Sequence, residues 1–118
     1  MKFEELDEYK KDLARLVKKY KSLREDLLVV RKILVMKPEE RPPFSFAVDY
    51  TSDTARIINV RKMACKSLKG TGVNSGLQLV YAYLKTERKI VMIALYDNDL
   101  KEDKEMKPML RRFALYLC

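Results

Sequence analysis

A chain of 118 residues has the length for one compact core and not for two. Its 47% hydrophobic and 36% charged content describe a globular protein, not a disordered one, and no apolar run approaches the roughly 20 residues of a spanning helix. A surplus of 25 Lys and Arg over 17 Asp and Glu, formally +8 with no histidine, points to an anionic partner and removes the commonest zinc ligand and proton carrier.

Met1 is followed by Lys2, Glu4, Glu5 and Asp7, unlike the apolar stretch of a secretion signal, so a cytoplasmic protein is expected. Leu6, Tyr9, Leu13, Leu16, Val17 and Tyr20 then recur at three- and four-residue steps, which predicts an amphipathic helix. Lys10, Lys11, Lys18, Lys19 and Lys21 cover its remaining surface, and the nearby Glu4, Glu5, Asp7, Glu8 and Asp12 suggest a face laced with short-range ion pairs. Ser22-Leu23-Arg24-Glu25 has the spacing of a capping box and marks the start of a second helix. Leu27, Leu28, Val30, Ile33 and Leu34 give that helix its apolar stripe, and Pro38 with Pro42-Pro43 ends it. Two helices joined by so short a link predict an antiparallel hairpin.

After Pro43 the period changes from helix to strand. Phe44, Phe46 and Val48 alternate with smaller or polar residues, and residues 57 to 65 begin β-branched, so both segments are predicted strands. Residues 70 to 76 hold all three glycines of the chain and read as a loop. The run from Leu77 to Leu84 is so poor in polar residues that it predicts a central strand covered on both faces. Lys85 to Arg88 is a short polar connection and Ile90 to Tyr96 another apolar run, together a hairpin. The tail from Lys101 is helix-prone, with Pro108 expected to interrupt it or open a separate last helix.

Charge is not evenly spread along this order. From Thr54 to Leu84 there is no carboxylate, while Arg56, Arg61, Lys62, Lys66 and Lys69 all fall there beside Gly70, Gly72 and Gly76. Such a surface suits phosphate, with glycines that admit a close backbone; equally, the cations could serve only to keep a sheet edge soluble. Tyr81, Tyr83 and Tyr96 could stack on bases or hold a proton beside cations that lower their pKa, although tyrosines at two-residue spacing also pack cores. Asp97, Asp99, Glu102 and Asp103 lack calcium-loop spacing and read as a solvated turn and helix start; no metal is expected. Gly70-Thr71-Gly72 lacks the spacing of a nucleotide fingerprint, so no cofactor is expected. Cys65 and Cys118 are too few for a disulfide scaffold, and Cys65 is expected in the core.

A basic helical hairpin, then Ala64-Cys65-Lys66-Ser67-Leu68-Lys69-Gly70, then Ser75-Gly76-Leu77-Gln78-Leu79-Val80-Tyr81, then Ile90 to Tyr96 and the charged segment after it, resembles the RelE-type toxins of bacterial toxin/antitoxin modules. The resemblance covers nearly the whole chain and implies one α+β domain over residues 1–118. Its fold would be an N-terminal antiparallel helical hairpin packed on a small antiparallel sheet, with a C-terminal helix. It further implies a ribosome-dependent endoribonuclease that cuts mRNA without metal, partnered by a cognate antitoxin with which it forms a hetero-oligomer on operator DNA.

By match to the motifs, Lys62, Lys66, Gln78, Tyr96 and Lys101 would form the catalytic site. Arg56, Arg61, Lys69 and Tyr81 would bind RNA, Arg61 reaching the phosphate with the two lysines. Two positions depart from the pattern: Gln78 stands where arginine is usual and Asn98 where lysine is usual. Each missing cation would cost a few kcal/mol of barrier, roughly 10² to 10³ in rate. The alternative is a noncatalytic relative, either a ParE-like gyrase inhibitor or a degenerate toxin kept as a binding subunit. A plain nucleic-acid-binding domain is a third reading.

Overall fold

A computed structural model describes residues 1–48, 54–68, 70, 72, 75–97 and 102–117. The chain order is β1 (Lys2–Glu5), α1 (Asp7–Val17), α2 (Leu23–Met36), β2 (Ser45–Ala47), β3 (Ala55–Val60), β4 (Gln78–Leu84), β5 (Lys89–Tyr96) and α3 (Glu102–Leu117). The strands form one sheet in the order β1-β5-β4-β3-β2. This is an α+β fold with an N-terminal helical hairpin and a C-terminal helix, as expected. No helix among the described residues is long and apolar enough to cross a membrane.

β4 is the middle strand, as its uniform hydrophobicity requires, and Leu79 to Ala82 have no exposed surface. Its hairpin with β5 pairs Gln78 with Tyr96 and Leu84 with Lys89, with an irregularity at Val80 and Tyr81 that leaves Ile93 as an extra residue on β5. β3 stops at Val60, sooner than the predicted strand to Cys65, because the chain turns off the sheet there.

The sheet is mixed, not wholly antiparallel. β1, which the sequence pattern did not reveal, runs parallel to β5 with Lys2 opposite Lys89 and Glu5 opposite Met92. Four residues with three charges carry no strand signal alone; the long apolar β5 supplies the pairing.

Strand alternation assigns the helices to opposite faces. Phe3 and Glu5 face the hairpin, where the Arg31 guanidinium of α2 lies 5.0 Å from the Phe3 ring centre and pairs with Glu5. Glu4 points the other way and meets α3, accepting from the Tyr116 hydroxyl and from Lys89 Nζ at 3.3 Å. α3 runs through Pro108 unbroken, contrary to expectation. An interior proline costs about 3 kcal/mol. Tertiary anchors offset it: Phe113 is in the core, and Arg112 reaches Asp12 of α1 at 2.9 Å.

Candidate functional site

The segment after β3 carries the cations, and α2 holds it in place. Arg61 N and Lys62 N both donate to the Phe44 carbonyl, at 2.9 and 3.1 Å, which ends the pairing with β2. Met63 and Cys65 then turn inward and are buried. Asp26, 5% exposed, accepts from Ser22 Oγ at 2.8 Å and from the Lys66 amide at 3.2 Å. The Ser67 amide donates to Ser22 Oγ and the Ser22 amide to Ser67 Oγ, each at 2.8 Å. Ser22 therefore caps no helix with Glu25; its hydroxyl joins two segments 45 residues apart. Gly70 and Gly72 follow with φ of 82° and 56° and open space where a Cβ would stand. Within the fold their requirement is the left-handed backbone.

Successive residues past β3 diverge. The Arg61 guanidinium lies 5.3 Å from the centre of the Phe46 ring, and Phe46 is paired with Asn59. Asn59 and Gln78 share that face, because Asn59 is opposite Val80 and side chains alternate. There Tyr96 donates its hydroxyl to Gln78 Oε1 at 2.8 Å and accepts from Asn59 Nδ2 at 3.2 Å. Tyr96 is only 1% exposed and Asn59 has no exposed surface, so the network is enclosed except at half-buried Gln78.

Lys62 and Lys66 border the other face. They line a groove of about 340 Å³ between α2 and the sheet, with Val29, Ile33, Phe44 and Tyr81 on its walls. Lys66 Nζ is 3.8 Å from Glu25, and both side chains are exposed. The residues expected to act together are thus divided: Arg61, Gln78 and Tyr96 on one side of the sheet, Lys62 and Lys66 on the other. An odd step along an extended chain reverses the side chain, and the sequence motif does not carry that information.

Two expected RNA contacts are engaged within the fold. Arg56 Nη1 donates to Glu40 Oε1 at 2.7 Å, both side chains being about a third exposed or less. Tyr81 has no exposed surface and donates its hydroxyl to the Pro38 carbonyl at 2.7 Å. Burial, with Glu40 nearby, pushes its phenol well above the ordinary value, opposite to the lowering expected beside cations. A buried protonated phenol is a wall of the groove and not a stacking platform. Lys69, Asn98 and Lys101 lie outside the described residues.

The same architecture occurs in a protein of known structure. The archaeal RelE–RelB complex from Pyrococcus horikoshii OT3 contains a chain similar to this one with a TM-score of 0.58 over 82% of this chain and 93% of that one, at 14% identity. The fold is that of the RelE-type toxins. No family model and no curated protein matches the chain.

Within this RelE fold, the features that sequence reading missed are long-range ones. Asn59 is in sequence a lone polar residue in a strand; its neighbours in the fold, Tyr96 and Gln78, make it part of the polar network. Asp26 falls among helix residues, and nothing local in the sequence signals its partner in the 61–68 segment, the Lys66 amide. One signal was legible: α2 is apolar around more of its circumference than a single packed face needs. Leu28, Val29, Ile33 and Val35 are each 42% exposed or more, and Met36 is 81% exposed.

Proposed function

We propose that this chain is the toxin half of a toxin/antitoxin module, an endoribonuclease that cuts mRNA at the ribosome and is neutralised by an antitoxin lying in the α2 groove. The observation that carries the reading is that groove: an apolar floor from Val29 to Phe44, lined by four cations, Lys37, Arg41, Lys62 and Lys66, against two carboxylates, Asp26 and Glu39, in a fold shared with a protein found bound to RelB. An amphipathic segment with acidic flanks complements it. Lys62 and Lys66 then serve the partner, and the reacting strand belongs to the Arg61 face. In cleavage the 2′-hydroxyl gives up its proton and bonds to the adjacent phosphorus while the 5′-oxygen leaves and takes a proton. Arg61 is the cation positioned to offset the charge that develops on the phosphoryl oxygens, and Tyr96 is the hydroxyl able to exchange a proton once substrate opens the network.

One observation favours a noncatalytic relative as the second reading. Tyr96 is enclosed and its proton is committed to the neutral amide of Gln78. Primer extension on mRNA from a translating extract separates the two. Cleavage predicts cuts within codons that fall about 10² to 10³-fold with Arg61→Gln and rise with Gln78→Arg. Intact mRNA with both the wild-type chain and Gln78→Arg refutes the nuclease reading and leaves the noncatalytic one.

A further inference from the structure

The cations of α1 form a surface of their own. Leu6, Tyr9, Leu13, Leu16 and Tyr20 are buried, and at 100° per residue Lys11 and the C-cap residue Lys18 point to the opposite side of the helix, with Arg15 to one flank and Lys10 to the other, while Lys21 lies in the turn that follows. All five are exposed. The sequence predicts that neighbouring acids blunt this face, and the fold engages three of the five elsewhere, leaving exposed Asp7 and half-buried Glu8 on the first turn beside Lys11. Glu4 is bound to Tyr116 and Lys89, Glu5 to Arg31, and Asp12 to Arg112 and the Leu95 amide. Among the described residues none of the five cations has an ion-pair partner. The face also carries no large exposed hydrophobic side chain, the next being Leu28 on α2.

We infer that the outer face of α1 is a second nucleic-acid surface, which holds the phosphate backbone of folded RNA by charge and away from the Arg61 site. A membrane-binding helix needs an apolar face to insert, and a protein hot spot needs aromatic or aliphatic anchors; this face has neither. Lysines at a fixed spacing with nothing to read bases are suited to sequence-independent backbone contact. The choice of RNA over DNA rests on the proposed action at the ribosome, whereas the phosphate binding does not.

The test uses an uncleavable probe, so that it is independent of catalysis. Binding of a labelled 2′-O-methyl RNA hairpin is measured by anisotropy across a salt series for the wild-type chain and for Lys11→Gln/Arg15→Gln/Lys18→Gln. The expected result is a fall of about 2 to 3 in the magnitude of the slope of log affinity against log salt, roughly 0.9 for each phosphate no longer neutralised, with a melting temperature unchanged because all three positions are exposed. An unchanged slope overturns the inference. So does a polyglutamate chain of equal charge that binds the wild type as tightly as the hairpin, whereas a DNA duplex that does so overturns the choice of RNA. Loss of hairpin binding in the triple variant together with intact mRNA in the extract assay would sustain this surface while refuting the nuclease.

Discussion

Asp26 is the carboxylate on which the shape of the cationic segment depends, and its replacement has a calculable cost. Two donors, Ser22 Oγ and the Lys66 amide, are aimed at it, and the residue is nearly enclosed. A hydrogen bond to a charged group contributes about 1.5 to 3 kcal/mol, but the Ser22 hydroxyl can turn toward Ser67, which already lies 2.8 Å away. The Lys66 amide has no such alternative. Asp26→Ala should therefore cost about 2 kcal/mol, and Asp26→Asn, which keeps one acceptor, about 1 kcal/mol. Urea unfolding measures both as shifts of the midpoint at constant m, corresponding to a melting temperature lower by about 8 °C for the alanine variant. Because the groove wall moves with Lys66, partner binding should weaken with the stability. A cost under about 0.5 kcal/mol for Asp26→Ala, or asparagine worse than alanine, would refute the reasoning.

Ile33→Asp places a charge in the middle of the apolar groove wall at a position 42% exposed, so folding stability should change by less than about 1 kcal/mol while the proposed antitoxin partner should no longer co-purify with the chain. A complex that survives the substitution would put the antitoxin elsewhere. The link between α3 and β1 should respond to acid. Hydrogen bonds from Tyr116 and then Lys89 hold the Glu4 carboxyl below its ordinary value of 4.5, so its contribution is present above that pH and is lost as the pH falls through the depressed value. Glu4→Gln should melt earlier than the wild type at pH 6, and the gap should close as the pH is lowered through the depressed value; a gap that does not narrow in acid would show that the effect is not electrostatic.

Local periodicity determined most of the fold. The three-and-four spacing from Leu6 to Tyr20, the apolar run from Leu77 to Leu84 and the polar link before Ile90 each act within a few residues, so the helices, the middle strand and the hairpin could be read from order alone. The core position expected for Cys65, 4% exposed, follows instead from cysteine number, since two are too few for a disulfide scaffold. The concentration of cations between Thr54 and Leu84 is likewise a property of the sequence. What order could not decide is which side of the sheet each cation occupies. Arg61 and Lys62 are neighbours in the motif, yet one lies over Phe46 and the other lines the groove, because extended backbone reverses direction at every residue and the register with β2 and β4 fixes which parity faces α2. The tertiary structure also decided the fate of the acids around α1. Their partners Arg31, Lys89 and Arg112 stand 26, 85 and 100 residues away from Glu5, Glu4 and Asp12, and only packing could turn those carboxylates inward and leave the lysines outside.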